Sequence, residues 1–346
     1  MNSIITIKLK NAILPFLFCM FLVCLIVFSK TNLAAVSNGL MLWANRVVPS
    51  LLPFFIGTEL LMHTNIVSLL GKLLTPIMKP AFNVPGEGAF VLLMGIICGY
   101  PTGARIVCEL RNNGILTKTE AERLLSFTNN SGPLFIIGTV GVSLFGDTRT
   151  GLLLLITHVL ACITVGICFR FWSDGKRQTE SRQVQDLPLR ANFSNLGEIL
   201  GNSIMNSVRT IVMIGGFVVL FSVIVSILKQ SHIIDLICFA LEPAFNLFGV
   251  SIEFLPGFFT GVLELTNGVS EVALVPSRLI STNMILCSFL LGFGGFSVLL
   301  QVFSIISKSD ISIKPYFYGK VLHGCFAALY TFLILKYTPF FNLDLL

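Results

Sequence analysis

The stretch Gly99-Tyr100-Pro101-Thr102-Gly103 interrupts an apolar region, and its glycines and proline cannot carry a helix through it. The apolar run before it, residues 87–98, would be about 18 Å long as a helix. A bilayer crossing needs about 20 apolar residues, so this run is too short to span. A second short leg continues to about residue 111. The pattern predicts a re-entrant helical hairpin over residues 86–112.

The same arrangement returns later in the chain. Glu264-Leu265-Thr266-Asn267-Gly268 breaks the apolar residues 252–276, and its Asn267-Gly268 aligns with Thr102-Gly103. Irregular backbone at membrane depth is tolerated only where protein buries it or water reaches it. We therefore expect a second hairpin whose tip lies beside the first.

Other residues recur at a constant spacing of 163 positions. The pairs are Arg46 and Arg209, Phe54 and Phe217, Gly132 and Gly295, and Asp147 and Asp310. This spacing predicts an internal duplication, with a first repeat over 36–172 and a second over 196–346. An N-terminal transmembrane helix (1–35) precedes them and a linker (173–195) joins them. Internal repeats in membrane proteins are typical of transporters, whose substrate sites lie where the repeats meet.

The composition predicts an all-α, polytopic membrane protein whose main partner is the lipid bilayer. The 346 residues are 54% hydrophobic and only 12% charged, whereas soluble domains have about 25% charged residues. The net charge of +6 is explained by basic cytoplasmic loops and does not indicate nucleic-acid binding. The apolar segments predict seven crossings, at residues 12–29, 46–66, 119–146, 150–171, 205–228, 280–306 and 316–338.

Charge distribution predicts the orientation of the two repeats. The linker carries Lys176, Arg177, Arg182 and Arg190, so we place it in the cytoplasm. Each repeat then holds an odd number of crossings, and the two must insert upside down relative to each other. This is the inverted-repeat plan of many secondary transporters.

The crossings that follow the hairpins are also interrupted. The first begins with a capping-box pattern, Thr117-Lys118-Thr119-Glu120. Asn129-Asn130-Ser131-Gly132-Pro133 breaks the first, and Gly292-Phe293-Gly294-Gly295-Phe296-Ser297 breaks the second. Such breaks free backbone N–H and C=O groups, which can bind an anionic or polar substrate or a coupling ion such as Na⁺ or H⁺. The candidate substrate-binding residues are Thr102, Arg105, Asn129, Asn130, Ser131, Glu264, Thr266, Asn267, Gly294, Ser297 and Gln301.

Arg105 and the two histidines have competing interpretations. A cation at membrane depth needs a negative partner, either in the cargo or in the protein, and Glu109 lies one turn along. We expect Glu264 to orient cargo or couple an ion. His158 and His323 fall at similar places in the last helix of each repeat; we expect them to pack, with a proton relay as the alternative.

The sequence lacks the motifs of hydrolases and phosphate-binding loops, and neither a metal nor another cofactor is predicted. We therefore expect a protein that is not an enzyme. A membrane enzyme and a non-transporting receptor that keeps the pocket are the alternatives. A homo-oligomer is compatible with all three.

The order of interfacial helix, hairpin, broken helix and full helix, given twice, resembles the gate or nucleoside-recognition superfamily. That superfamily is similar in plan to concentrative nucleoside transporters. Within it, the two hairpin tips and the stretch of residues 292–297 resemble sporulation integral membrane proteins of the YlbJ type, over residues 36–338.

The resemblance implies a transporter of a small organic anion, dipicolinate, in a membrane of the bacterial inner-membrane type. It further implies action at the outer forespore membrane, which derives from the mother cell, during sporulation. A carrier of nucleosides or other small metabolites is the alternative. The sequence departs from nucleoside carriers at the first hairpin, where Tyr100 to Gly103 replace the usual polar and acidic residues. Glu264 and Glu271 near the second tip would repel a dianion, so we expect them to be protonated, paired with Arg105 or Arg278, or bound to a cation that accompanies the cargo.

Overall fold

The computed structural model describes residues 2–173, 195–247, 249–277 and 280–337, and within these ranges it contains helices, turns and no strand. The helices before the linker are α1 (Asn2–Val27), α2 (Ser29–Leu42), α3 (Val48–Met62), α4 (Ile66–Phe82), α5 (Gly88–Cys98), α6 (Thr102–Asn112), α7 (Lys118–Thr128), α8 (Leu134–Leu144, with π-type hydrogen bonding) and α9 (Thr148–Phe169). Those after it are α10 (Leu196–Gln230), α11 (Ile233–Leu247), α12 (Leu255–Leu263), α13 (Leu265–Ala273), α14 (Ile280–Phe293), α15 (Gly295–Ile306) and α16 (Lys314–Tyr337).

Both predicted hairpins are present. The first consists of α5 and α6, which pack on each other and are joined by a tip that contains Gly99 in a positive-φ conformation. A side chain at Gly99 would also meet the backbone nitrogen of Gly132 at 2.9 Å, so both conformation and space require glycine there. The second hairpin consists of α12 and α13, joined at Glu264.

Local capping determines where several helices begin. Thr117 and Glu120 form the predicted capping box at the start of α7, with hydrogen bonds of 2.9 and 3.3 Å. Asp147 caps α9 by accepting from the backbone N–H groups of Arg149 and Thr150. The order of elements from α4 to α9 is repeated from α11 to α16.

The described residues contain fewer simple crossings than the predicted seven. Four helical segments are long and apolar enough to span a membrane: Thr148–Phe169, Leu196–Gln230, Ser281–Ile306 and Lys314–Tyr337. They coincide with four of the predicted crossings. There are up to six spans if each of two bent pairs is one, the first pair bent by 98° at Phe28 and the second by 83° between α3 and α4.

In each of the other three predicted crossings, a helix ends inside the predicted range. Residues 12–29 and 46–66 belong to the two bent pairs, and residues 119–146 are two short helices, α7 and α8, separated by a non-helical break. The linker from residue 174 to 194 lies outside the described residues. The opposed insertion of the repeats stays a prediction.

Packing joins the two halves through their hairpins. The second leg of the first hairpin, α6, contacts α15, and the second leg of the other, α13, contacts α8. Each leg therefore packs against the helix that follows the break in the other half. Helices α2 and α3 pack on α10, with Phe55 buried against Ile211, Ile214 and Val218. Helices α9 and α14 pack on α16.

Candidate substrate cavity

A cavity of about 490 Å³ lies where the two hairpin tips and the two helix breaks meet. The tips contribute residues 97–100 and 264–266, and the breaks contribute residues from Ser131 onward and from Ser297 onward. Helices α2, α3 and α10 close the remaining wall with mainly apolar side chains. Pockets of about 300–1,000 Å³ with a few convergent polar groups are typical of small-molecule sites.

The structure brings part of the predicted site together. The predicted residues that line the cavity are Ser131, Glu264, Thr266, Ser297 and Gln301. The described lining includes one carboxyl group, that of Glu264, and no lysine or arginine. The polar part of the wall is thus made of hydroxyl, amide and carboxyl groups.

The other predicted residues lie behind the wall. Asn129 donates to the Tyr316 hydroxyl at 3.0 Å, and Asn130 donates to the Phe127 carbonyl oxygen at 3.0 Å. Thr102 is buried at the start of α6, and its hydroxyl has no hydrogen-bond partner among the described residues. Asn129 and Asn130 stabilise the first break, and a direct role in binding stays a prediction for all three residues.

Two more predicted residues also fall outside the lining. The backbone N–H of Asn267 donates to Glu264 at 2.8 Å. Gly294 has a φ of 84°, and a side chain there would meet the Tyr100 hydroxyl at 3.1 Å. Gly294 therefore leaves room for the first hairpin tip rather than for cargo.

Tyr100, which the sequence interpretation did not select, closes the first hairpin tip against the second half. Its hydroxyl donates to the Leu291 carbonyl oxygen at 2.7 Å and accepts from the Ser131 hydroxyl at 2.9 Å. The ring lines the cavity, and the peptide bond between Tyr100 and Pro101 is cis. One side chain thus links a hairpin tip to both helix breaks.

Glu264 acts as the N-cap of α13. Its two carboxyl oxygens accept hydrogen bonds from the backbone N–H groups of Thr266, at 3.0 Å, and Asn267, at 2.8 Å. The N-terminus of a helix favours negative charge, so the cap compensates a carboxylate that is only 4% exposed. Glu264 is bound in this way and not by Arg105, whose pairing with it was one of the alternatives that the sequence left open.

Arg105 has the negative partner that its position requires, and that partner is Glu59 of α3. Its guanidinium also donates to the Thr210 hydroxyl of α10 at 3.3 Å. Among the described residues, the ion pair of Arg105 is thus with Glu59, whereas the sequence offered Glu109 as an alternative partner. Because Arg105 is paired within the protein and lies outside the lining, it does not offer the cavity a free positive charge.

The second hairpin is held in a comparable way. Glu271 of α13 pairs with Lys229 of α10 at 2.5 Å. Of the two basic partners considered for Glu271, Arg105 is bound to Glu59, and Arg278 lies outside the described residues. The second leg of each hairpin therefore forms an ion pair with a helix outside the hairpins. Helix α6 pairs with α3, and α13 pairs with α10.

The main omission of the sequence interpretation is Lys320, which lies on α16 and is 1% exposed. Its ammonium nitrogen is 3.1 Å from the Asn129 carbonyl oxygen and 3.3 Å from His323 Nδ1. His323 and His158 pack with ring centroids 4.3 Å apart. A lysine inside a predicted crossing, three residues before a histidine, was the signal available in the sequence.

Side chains that commonly bind metal ions do not cluster in the described residues. In them, no group of three or more His, Cys, Asp or Glu side chains could hold a metal ion. The polar groups of the cavity are suited to hydrogen bonding with a small organic molecule.

Comparisons with known proteins agree with this architecture. Residues 44–169 match the family described as Gate: Nucleoside recognition. The chain is 38% identical over 321 residues to the sporulation integral membrane protein YlbJ of Bacillus subtilis (strain 168), covering 89% of this chain and 78% of that protein. No solved structure matches.

The helical fold, its spans and the matched region define an integral membrane protein with a gate-type nucleoside-recognition domain. The extent of the identity shows more: the chain belongs to the family of the sporulation integral membrane protein YlbJ. The family resemblance drawn from the hairpin tips and the glycine-rich break is confirmed.

Proposed function

We propose that this protein is a carrier that moves a small organic molecule across a membrane through the cavity between its hairpins. The observation that carries the proposal is the convergence of both tips and both breaks on one cavity of about 490 Å³. If the two hairpin tips and the two helix breaks served only packing, they would not be expected to surround one cavity. Carriers built from repeats place their substrate at such a meeting of broken helices.

For the cargo we propose dipicolinate, carried across the outer forespore membrane during sporulation. The relative's name places that protein in sporulation. A dicarboxylate with one ring is small enough to fit in a cavity of this volume. The hydroxyl groups of Thr266 and Ser297 and the amide of Gln301 line the cavity and can donate to carboxylate oxygens. The carboxylate of Glu264 repels an anion. Its hydrogen bonds to the backbone N–H groups at the start of α13 reduce that repulsion.

A neutral, polar cargo such as a nucleoside is the second candidate. The absence of lysine and arginine from the described lining favours it, as does the description of the gate family as nucleoside recognition. A nucleoside would use Glu264 and Gln301 as hydrogen-bond partners without electrostatic cost.

Uptake into vesicles that contain the purified protein separates these candidates. Labelled dipicolinate and labelled nucleosides are offered separately, with and without Na⁺ and pH gradients. The proposal expects saturable uptake of dipicolinate that exceeds nucleoside uptake at least tenfold. The reverse ratio would favour the nucleoside carrier, and binding without uptake would favour a receptor.

A pair of tryptophan variants tests whether the cavity is the path. Thr266→Trp places a large ring in the cavity and should reduce uptake at least tenfold. Leu274→Trp adds the same ring at a position 66% exposed near the end of the same hairpin, and should leave uptake within about twofold. Equal uptake by both variants, with matching elution in size-exclusion chromatography, would place the path elsewhere.

A further inference from the structure

Lys320 occupies an unusual place for a cation, because no carboxylate of the described residues is bonded to it. Its amine contacts the Asn129 carbonyl oxygen and His323 Nδ1, and it lies 5.3 Å from the centroid of the Tyr100 ring. A charged residue at the centre of a membrane helix costs about 2.5–3.5 kcal/mol on insertion scales, and such residues usually mark functional sites.

The hydrogen bonds around Lys320 assign the histidine tautomers. His323 Nε2 lies 3.0 Å from the His158 carbonyl oxygen, which can only accept, so Nε2 carries the proton. His323 Nδ1 is then a lone pair that accepts from Lys320. His158 Nε2 accepts from the backbone N–H of Ser131 at 3.3 Å, so its proton is on Nδ1, which has no partner among the described residues.

Both imidazoles are therefore neutral in this arrangement. A second proton on either ring would place an N–H group against another donor. For His323 that donor is the protonated amine of Lys320, and for His158 it is the backbone N–H of Ser131. The cluster thus has one position for a positive charge, shared between the Lys320 amine and His323 Nδ1. Its capacity is one proton.

The other titratable groups around Lys320 do not supply a counter-charge. Cys162 of α9 and Tyr100 of the hairpin tip face it, and Tyr316 lies one turn before it on α16. Glu122 of α7 accepts from the Trp172 side chain and the Ser312 backbone, near the start of α16. Helix α14, which also packs on α16, has no charged residue from Ile280 to Phe293.

The cluster lies directly behind the cavity wall. Tyr100 and Ser131 both line the cavity; the first covers Lys320 with its ring, and the second binds His158 through its backbone. The Asn129 carbonyl oxygen that binds Lys320 belongs to the first helix break. A charge on Lys320 is therefore felt in the cavity, whose described lining has no cation of its own.

We propose that the pair of Lys320 and His323 is the proton-binding site of the carrier, and that it holds one proton while an anionic cargo occupies the cavity. The inference deepens the proposed function and depends on it. The amine takes its proton from hydronium in the water that enters with the open cavity: one O–H bond of the hydronium breaks, one N–H bond forms, and a water molecule remains. It returns that proton to water when the cargo leaves on the other side. The anion and the proton then cross together.

The test uses vesicles that contain the full-length protein and a trapped pH-sensitive dye, with the membrane potential clamped at zero. Dipicolinate added outside should acidify the interior of wild-type vesicles. A pH gradient, alkaline inside, should raise accumulation by about tenfold per pH unit for one coupled proton.

Two variants assign the proton to this site. Lys320→Met keeps the length of the side chain without its nitrogen, and should continue to exchange labelled for unlabelled cargo without moving protons. Lys320→Arg keeps a permanent charge and should also lose proton movement. A merely structural role would predict instead that Lys320→Arg restores the wild-type behaviour.

Each outcome decides something. Wild-type uptake without proton movement overturns the inference and leaves the proposed function standing. Proton movement that persists in either variant overturns the assignment to Lys320. Failure of the wild type to take up any cargo overturns the proposed function, and the inference with it. If Lys320→Met does not fold, the wild type and Lys320→Arg still decide.

Discussion

The hydroxyl of Tyr100 donates a 2.7 Å hydrogen bond to the carbonyl oxygen of Leu291, a residue 191 positions away. Tyr100 is at the tip of the first hairpin, and Leu291 lies three residues before the Gly294 break of the second half. The Ser131 hydroxyl is 3.3 Å from the same carbonyl oxygen. The first hairpin tip cannot leave the second half without breaking this contact, which therefore stabilises the arrangement of the halves seen here.

Tyr100→Phe removes the donor and keeps the ring. We expect it to lower the free energy of unfolding by about 1 kcal/mol, because Ser131 remains as a donor to Leu291. Thermal unfolding of the purified protein in detergent measures the change. Tyr318→Phe is the control, since Tyr318 is exposed on α16. An equal unfolding temperature for both variants would contradict a stabilising role for the contact.

The pair of Arg105 and Glu59 gives a second prediction. The two side chains are 15% and 6% exposed, so removal of one partner leaves a nearly buried charge. We expect Arg105→Met or Glu59→Leu alone to cost about 3–5 kcal/mol, and the double variant to cost much less than their sum. Unfolding measurements on the four proteins form a double-mutant cycle.

Additive losses in that cycle would show that the pair is not coupled. The cycle also decides what a loss of anion uptake in an Arg105 variant means. If the double variant restores both stability and uptake, Arg105 acts by holding the hairpin. If it restores stability alone, Arg105 has a separate role in transport.

How much the sequence could predict depended on whether a signal was local. The hairpin over residues 86–112 was predicted within two residues of its helices, because glycine, proline and short apolar runs act on their own neighbourhood. The capping box of Thr117 and Glu120 was local in the same way. The partner of Arg105 was not, because Glu59 lies on another helix and nothing in the spacing of charges connects the two.

The same distinction between local and non-local signals applies to the residues of the candidate site. Positions beside a break were predicted to meet, and Ser131, Glu264 and Ser297 do meet at the cavity. Which of two adjacent polar residues faces the cavity depends on helix rotation, so Asn130 turned to the Phe127 carbonyl while Ser131 faced inward. Tyr100 was overlooked because its function is a contact with Leu291, visible only once the halves are packed.

Glu264 should affect charged and neutral cargo differently. Two charges about 6 Å apart interact by about 3 kcal/mol at an effective dielectric constant of 20. Glu264→Gln removes the charge and keeps one acceptor for the cap of α13. We expect the KM for dipicolinate to fall about tenfold or more, with nucleoside uptake changed less than threefold. A higher KM for dipicolinate would mean that the carboxylate binds a cation that travels with the anion.

An ion pair in the loop between α15 and α16 should make the stability of the fold depend on pH. Arg111 binds Asp310 through two hydrogen bonds of 3.0 and 2.8 Å, and these bonds, with the Arg111 charge, lower the pKa of the Asp310 carboxyl below its ordinary value. A lowered folded-state pKa gives stability that is present above the unfolded pKa and is lost as pH falls through the folded pKa.

Asp310→Asn should therefore lower stability at neutral pH and have no effect once the wild-type carboxyl is protonated in the folded state. The expected loss is about 0.2–1 kcal/mol, because the Asp310 side chain is half exposed. Unfolding temperatures measured from neutral pH downward test this, with the exposed Glu253 changed to Gln as the control. A difference that stays constant across the pH range would rule out the carboxyl charge as its source.

The second hairpin depends on a glycine contact between its legs. A side chain at Gly268 of α13 would overlap the backbone of Gly261 on α12 and lie 2.9 Å from the Gly257 carbonyl oxygen. Small residues let membrane helices approach this closely. We expect Gly268→Ala to separate the legs, to lower the free energy of unfolding by about 1–3 kcal/mol and to move Glu264 at the tip.

Gly216→Ala on α10 is the matched control, because no atom outside its own helix lies within 4 Å of the added methyl group, and it should be neutral or stabilise by up to about 1 kcal/mol. Unfolding temperature and cargo uptake should both fall for Gly268→Ala and for that variant alone. If Gly268→Ala behaves as Gly216→Ala does, the legs are not packed backbone to backbone and the tip is not held at the cavity by them.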